Sequence, residues 1–188
     1  MNDDHLLAAT RAFIRSLEAD QIPHVLVGGL AVLQYVQGRN TRDMDLIMAV
    51  EDIARLPDFI LEEGNEWFAT GTSGPLRVDL LFTRHPLFRE VMEKHAEPRD
   101  FLGARLICAT PTGILLLKLF ALPSLYRQGN IERAALYETD ILQLLHRHPH
   151  PAEELLASLA PHLSASDINA LRQVLAEIQA RLARPGLF

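Results

Sequence analysis

Two aspartates, Asp43 and Asp45, begin the otherwise apolar stretch Asp43-Met44-Asp45-Leu46-Ile47-Met48-Ala49-Val50. Because side chains alternate along a strand, this stretch predicts a strand with both carboxylates on one face and Met44 on the other. Two anions this close repel each other unless a cation lies between them. The pair therefore indicates a metal site, and the alternative is a loop acid followed by an exposed strand acid.

A third carboxylate, Asp79, interrupts the apolar stretch 76–82. A buried charge without a partner is costly, so this residue needs a function or an ion pair. Aspartate oxygens suit Mg²⁺ better than His or Cys ligands do. Two Mg²⁺ ions about 4 Å apart stabilise both the entering and the leaving oxygen in phosphoryl transfer. The alternative is an edge-strand Asp79 paired with Arg77 or Arg84.

Gly28 and Gly29 follow directly after the short apolar stretch His24-Val25-Leu26-Val27. Glycines between a strand and a helix let the backbone approach a bulky ligand closely, and the free N–H groups of a helix start suit phosphate. Tight packing of the helix on the strand is the alternative. On its own the glycine pair is a weak indication of a phosphate site.

The elements that must position these residues lie in the first half of the chain. Apolar periodicity and turn residues predict helices over 5–20, 30–36 and 51–63, and strands over 24–27, 43–50, 67–70, 76–82 and 105–109. From Thr110 onward, only helices are predicted, over 111–126, 131–147, 151–160 and 165–184. We therefore expect an α+β protein with a mixed half, 1–109, and a helical half, 110–188.

The motifs together resemble a known superfamily. Val27-Gly28-Gly29-Leu30-Ala31, the segment 38–46 that contains Asp43-Met44-Asp45-Leu46, and Val78-Asp79-Leu80 are similar to those of DNA polymerase beta-like nucleotidyltransferases. The Gly-Gly-x-Ala and Arg-x-Thr-x-Asp-x-Asp-Leu pattern resembles the AbiEii-type branch, which includes type IV toxin nucleotidyltransferases. The resemblance covers about residues 24–145. It implies a small mixed β-sheet flanked by helices, followed by a helical region.

The resemblance also implies roles for individual residues. Asp43 and Asp45 would bind both metal ions, which are Mg²⁺ with Mn²⁺ as an alternative. Asp79 would bind the catalytic ion near the attacking hydroxyl. Gly28 and Gly29 would contact the nucleoside triphosphate (NTP). Many superfamily members have Gly-Ser where this chain has Gly28-Gly29. The AbiEii-type branch, however, also has Gly-Gly there.

Four further residues complete the predicted nucleotide-binding site. Lys118 is the single charged residue between Thr110 and Tyr126, and its ammonium must reach solvent or meet an anion. By resemblance it would reach the triphosphate, and Asp140 would orient it. Arg39 and Thr41, just before the metal-binding strand, are further candidates for nucleotide contact, although a polar turn accommodates such residues without any function.

Composition limits the class of protein. With 188 residues, 48% apolar, the chain is large enough to bury a core. The formal net charge of −6 argues against a protein that coats nucleic acid through bulk positive charge. Met1 to His5 is acidic and lacks the features of a signal peptide, and the apolar runs are far too short to span a membrane. We therefore expect a cytoplasmic protein without membrane contact.

The predicted activity is transfer of a nucleoside monophosphate from NTP to a hydroxyl, with release of pyrophosphate. The resemblance implies an RNA acceptor, such as a tRNA 3′ end, and a toxin regulated by a cognate antitoxin. One alternative is transfer to a small molecule, such as the hydroxyl of an antibiotic. Another is a module that binds nucleotide and metal without turnover. Fold-level analogy does not choose between these acceptors.

Overall fold

The computed structural model describes residues 3–37, 41, 43–101 and 103–184. Contacts between residues divide the chain into two compact units, Met1–Thr110 and Pro111–Phe188. We call these the amino-terminal unit and the helical unit. None of the helices in the described ranges combines the length and the apolar character that crossing a membrane requires.

The amino-terminal unit is built on one mixed sheet of seven strands. Its elements are α1 (Asp3–Ala19), β1 (His24–Val27), α2 (Gly28–Val32), β2 (Met44–Met48), a 3₁₀ helix (Val50–Arg55), β3 (Phe59–Gly64), β4 (Phe68–Ser73), β5 (Leu76–Phe82), α3 (Pro86–Lys94), β6 (Ala96–Phe101) and β7 (Ala104–Ala109). The strand order is β3-β4-β5-β2-β1-β7-β6. Pairs β2–β5 and β1–β7 are parallel, and the other pairs are antiparallel.

The central strands carry the core. Met44 and Leu46 on β2, and Val78 and Leu80 on β5, are at most 1% exposed. These residues alternate with Asp45 and Asp79, so one face of the two strands is fully apolar while the other carries carboxylates. This is the alternation that the sequence predicts for these strands. The mixed sheet with its helices confirms the predicted α+β fold class.

The prediction of a helix over 51–63 is wrong. A 3₁₀ helix ends at Arg55, and residues Phe59–Gly64 form β3, the strand at one edge of the sheet. Asp58, with φ of 47°, turns the backbone in a way that a helix does not allow. Beyond this turn, hydrogen bonding to β4 determines the conformation.

Two elements, α3 and β6, have no counterpart in the sequence prediction. His85 caps α3, because its ring Nδ1 accepts a hydrogen bond from Leu87 N, and Pro86 occupies the first turn. β6 pairs with β7 at the other edge of the sheet. Trp67, the single tryptophan of the chain, packs edge-on against His85 with ring centroids 5.2 Å apart.

Tyr35 connects the segment after α2 to strands β6 and β7 through hydrogen bonds. Its hydroxyl lies 3.0 Å from both Glu97 Oε1 and Ala109 O, which are acceptors on β6 and β7. The Arg99 guanidinium lies 4.8 Å from the centre of the Tyr35 ring. Burial raises the pKa of Tyr35, and burial also raises the pKa of Cys108 to about 12. Both groups therefore stay neutral and act as structural residues.

The helical unit contains α4 (Pro111–Arg127), α5 (Ile131–Arg147), α6 (Ala152–Leu159) and α7 (Ala165–Leu182). All four helices were predicted to within three residues. α5 and α7 begin with side-chain caps, since Asn130 accepts a hydrogen bond from Arg133 N and Ser164 accepts one from Asp167 N. α4 is buried over most of its surface, including Lys118.

Candidate active site

A row of side chains in register, most of them polar, crosses the sheet of the amino-terminal unit. In the parallel pairing of β2 and β5, Asp45 is the direct partner of Asp79. On the far side of β5, Thr70 of β4 is the direct partner of Asp79. Residues in register on neighbouring strands point to the same face. The sheet therefore brings Thr70, Asp79 and Asp45 side by side, and Val27 of β1 completes the row next to Asp45.

Gly28 is the residue after Val27 in the chain, and its backbone lies close to the side chain of Asp45. Its φ is +63°, a left-handed conformation that side chains other than glycine rarely adopt. A Cβ atom built on Gly28 would overlap the carboxylate of Asp45, including Oδ2. Both the backbone angle and the space occupied by Asp45 therefore require glycine here. The β1–α2 turn thus positions one carboxylate of the row.

Asp79 is held from the β4 side. The Thr70 hydroxyl donates a hydrogen bond to Asp79 Oδ1, and Arg77 Nε lies 3.5 Å from the same oxygen. The Asp79 side chain is 20% exposed, whereas that of Arg77 is 52% exposed. An ion pair with Arg77 is one of the alternatives to metal binding that the sequence suggests for Asp79. The sequence does not single out Thr70 as a partner. A threonine in a strand is common, so its position became informative only with the strand pairing known.

The three predicted metal ligands are not equally placed. Asp45 and Asp79 are half-buried register partners, and Asp43 is exposed just before β2. Within the described residues, no three or more His, Cys, Asp or Glu side chains are arranged to hold a metal ion. The hard oxygens of Asp45 and Asp79 on one face are nevertheless the donor set that Mg²⁺ prefers. Metal binding by these residues and by Asp43 stays a prediction.

Lys118 and Asp140 form a buried ion pair inside the helical unit. Lys118 Nζ on α4 lies 2.7 Å from Asp140 Oδ2 on α5, and their side chains are 4% and 3% exposed. The Lys118 ammonium also lies 4.0 Å from the centre of the Tyr137 ring. The resemblance implies that Asp140 orients Lys118; the two side chains are in contact, and the orienting role stays a prediction. The predicted contact of Lys118 with a triphosphate stays a prediction.

The remaining predicted nucleotide contacts are only partly placed. Gly29 lies buried in the first turn of α2, next to Gly28. Thr41 is half-buried in the segment before β2. Arg39 lies outside the described residues. Nucleotide binding by these three residues stays a prediction.

The chain is similar to known proteins in structure rather than in sequence. No protein-family model matches the sequence, and no curated protein matches it. Among solved structures, the chain is similar to ANT(2'')-Ia in a crystal structure with adenylyl-2''-tobramycin. That match has a TM-score of 0.58 and 13% identity, and it covers 94% of this chain and 98% of ANT(2'')-Ia.

Two further structures give the same result. A nucleotidyltransferase-like protein from Paracoccidioides brasiliensis aligns with a TM-score of 0.54 and 14% identity, over 93% of this chain and 94% of its own. The solution structure of ANT(2'')-Ia, described as an antibiotic-resistance factor, aligns with a TM-score of 0.53 and 14% identity, over 96% of both chains. At such identities the likeness shows the fold. The chain therefore has a nucleotidyltransferase fold, with the Asp45–Asp79 row at the centre of its sheet.

Proposed function

We propose that the protein is a metal-dependent nucleotidyltransferase that moves a nucleoside monophosphate from NTP to a hydroxyl acceptor. The observation that carries this proposal is the direct register of Asp45 and Asp79 beside Gly28. This arrangement offers hard oxygen ligands on one face of the sheet and, next to them, the turn that begins α2. The nucleotidyltransferase fold of the solved neighbours supports it.

In this mechanism the acceptor hydroxyl attacks the α-phosphorus of the NTP. The bond from that phosphorus to the oxygen bridging the β-phosphate breaks, and pyrophosphate leaves. Asp79 would take up the proton of the hydroxyl, and Asp43, Asp45 and Asp79 would hold the metal ions. Two Mg²⁺ ions at these carboxylates would neutralise charge on the entering and leaving oxygens. The backbone of Gly28 and Gly29 would lie along the triphosphate.

For the acceptor, we favour a small cationic molecule over RNA. ANT(2'')-Ia, whose crystal structure is a complex with adenylyl-2''-tobramycin, aligns along nearly its whole length with this chain. A formal net charge of −6 also attracts a polyamine-like molecule and repels a polyanion. The second candidate is an RNA hydroxyl, such as a tRNA 3′ end, with the protein as a toxin controlled by an antitoxin. The motifs at Gly28-Gly29 and Asp43-Met44-Asp45 favour that candidate.

The test is incubation of the purified protein with Mg²⁺, each α-labelled NTP in turn, and either aminoglycosides or total RNA. Wild type should release pyrophosphate and label one acceptor class. Asp45→Asn should lower the rate by at least about 10³-fold, because it removes a charged metal ligand. Asp100→Asn, the same change at an exposed position on β6, is the control and should keep the wild-type rate.

The outcomes separate the candidates. Label on an aminoglycoside supports the small-molecule acceptor, and label on a discrete RNA band supports the toxin. Metal-dependent NTP binding without any transfer to either acceptor would indicate the non-catalytic module. Full transfer activity in Asp45→Asn would contradict the proposed site.

A further inference from the structure

The hydroxyl of Thr70 contacts the carboxylate of Asp79, its register partner on the neighbouring strand. Both contacts that the described residues make with this carboxylate fall on one oxygen, Oδ1. Thr70 donates to it from β4, on the side of β5 opposite to Asp45. The other oxygen, Oδ2, takes part in neither of these two contacts.

The two contacts of Oδ1 differ in quality. The Thr70 hydroxyl comes from a half-buried side chain on a paired strand, so the backbone ladder of β4 and β5 fixes its position. Arg77 is more than half exposed and its nitrogen lies 3.5 Å away, so water and salt weaken that ion pair. The orientation of the carboxylate therefore depends mainly on Thr70.

We propose that Thr70 is a positioning residue, which holds Asp79 Oδ1 so that Oδ2 is presented to the metal ion. This inference rests on the proposed function, because it assumes that Asp79 is a metal ligand. Groups that hydrogen-bond to a ligating carboxylate fix its rotamer and reduce the freedom that metal binding must remove. Drawing Oδ1 to the β4 side also limits the repulsion between Asp79 and Asp45 when no cation lies between them.

The test uses Mn²⁺ as the probe, with binding measured by electron paramagnetic resonance on the protein without nucleotide. Thr70→Val keeps the shape and the strand preference but removes the hydroxyl, and it should weaken Mn²⁺ binding about 10-fold. Thr70→Ser keeps the hydroxyl and should bind within about threefold of wild type. Thr72→Val deletes the same group two residues further along β4 on the same face, and it should bind like wild type.

Further measurements separate positioning from a merely structural role. Thr70→Val should lower kcat about 10-fold and leave KM for NTP within about twofold, and urea unfolding should show the variant folded. Thr70→Val that binds Mn²⁺ as well as wild type, even if less stable, would overturn the inference. Absence of Mn²⁺ binding to wild type would overturn it too. Absence of transfer to any acceptor would instead count against the proposed function, and the order of Mn²⁺ affinities among the variants would still decide the role of Thr70.

Discussion

At the scale of single residues, Gly28 and Asp45 are packed so closely that the space beside the Gly28 backbone is filled by the Asp45 carboxylate. Gly28 has a positive φ, and a Cβ atom at this position would overlap the Asp45 carboxylate. The position of the carboxylate therefore depends on the absence of a single methyl group. The turn at the start of α2 and the carboxylate on β2 form one structural unit for this reason.

Replacing Gly28 with Ala should damage the site more than the fold. The left-handed backbone angle costs an L-residue about 1–2 kcal/mol. The new methyl group should also displace Asp45 and lower the transfer rate about 100-fold, since small misplacements of catalytic groups have effects of this size. Urea unfolding and the rate of nucleotide transfer measure the two effects.

Gly74→Ala is the matched control. Gly74 also has a positive φ, of 56°, but a Cβ atom there would meet nothing within 4 Å. Its substitution should reproduce the loss of stability without the loss of activity. Wild-type activity in Gly28→Ala would mean that the observed position of Asp45 is not the one used in transfer.

The sequence singles out the candidate carboxylates, but it does not predict which residues lie beside them. Alternation along the strand places Asp43 and Asp45 on one face, because this property is local. The register of Asp45 with Asp79 depends on which strands pair across 33 intervening residues, and local periodicity carries no such information. Thr70 was missed for the same reason, since its partner lies on another strand.

At the scale of elements, α4 and α5 are joined by the buried Lys118–Asp140 pair. Two charges in an apolar interior are stable together only when both are paired. With an Nζ–Oδ2 distance of 2.7 Å and almost no solvent exposure, each is the compensating charge of the other. The pair therefore fixes the register of the two helices whether or not it has a role in catalysis.

Asp140→Asn should lower the free energy of unfolding by about 3–5 kcal/mol, because it removes the negative charge that lies 2.7 Å from the buried Lys118 ammonium. The double variant Lys118→Met with Asp140→Leu should recover most of this loss. Urea unfolding measures both. Transfer activity of the recovered double variant then tests the predicted role of Lys118 on the triphosphate. A double variant as unstable as the single one would contradict the charge argument.

The edge elements show where prediction from sequence reaches its limit. The helical unit was predicted well because the spacing of its leucines is a local signal. β3 and β6 lie at the two edges of the sheet and contain no fully buried residue, so neighbouring strands hold them in place rather than an apolar pattern of their own. Their sequences therefore do not predict strands, and the first of them lies largely within the range 51–63 predicted as a helix.

At the scale of the whole molecule, His24 makes the free energy of unfolding depend on pH. Its side chain is 8% exposed, Nδ1 lies 2.7 Å from Ile22 O, and Nε2 has no hydrogen-bond partner among the described residues. Burial lowers the pKa of His24 below its ordinary value of 6.5, although the Ile22 carbonyl and Glu18 oppose this shift. The folded state therefore favours the neutral ring.

The unfolded state consequently binds more protons than the folded state between the lowered pKa and 6.5. The contribution of His24 to stability is complete above this range and is lost as the pH falls through it. The slope is at most about 1.4 kcal/mol per pH unit. His24→Leu should flatten the pH dependence of the free energy of unfolding, measured by urea unfolding at a series of pH values. An unchanged slope in His24→Leu would contradict the assignment.

Trp67 has a consequence for how the protein can be observed. It is the single tryptophan of the chain and lies in the amino-terminal unit, beside His85. Tryptophan emission therefore reports on that unit alone, while far-ultraviolet circular dichroism is weighted towards the long helices α4, α5 and α7 of the helical unit. Recording both signals through one denaturation therefore tests whether the two units unfold together, without any added label.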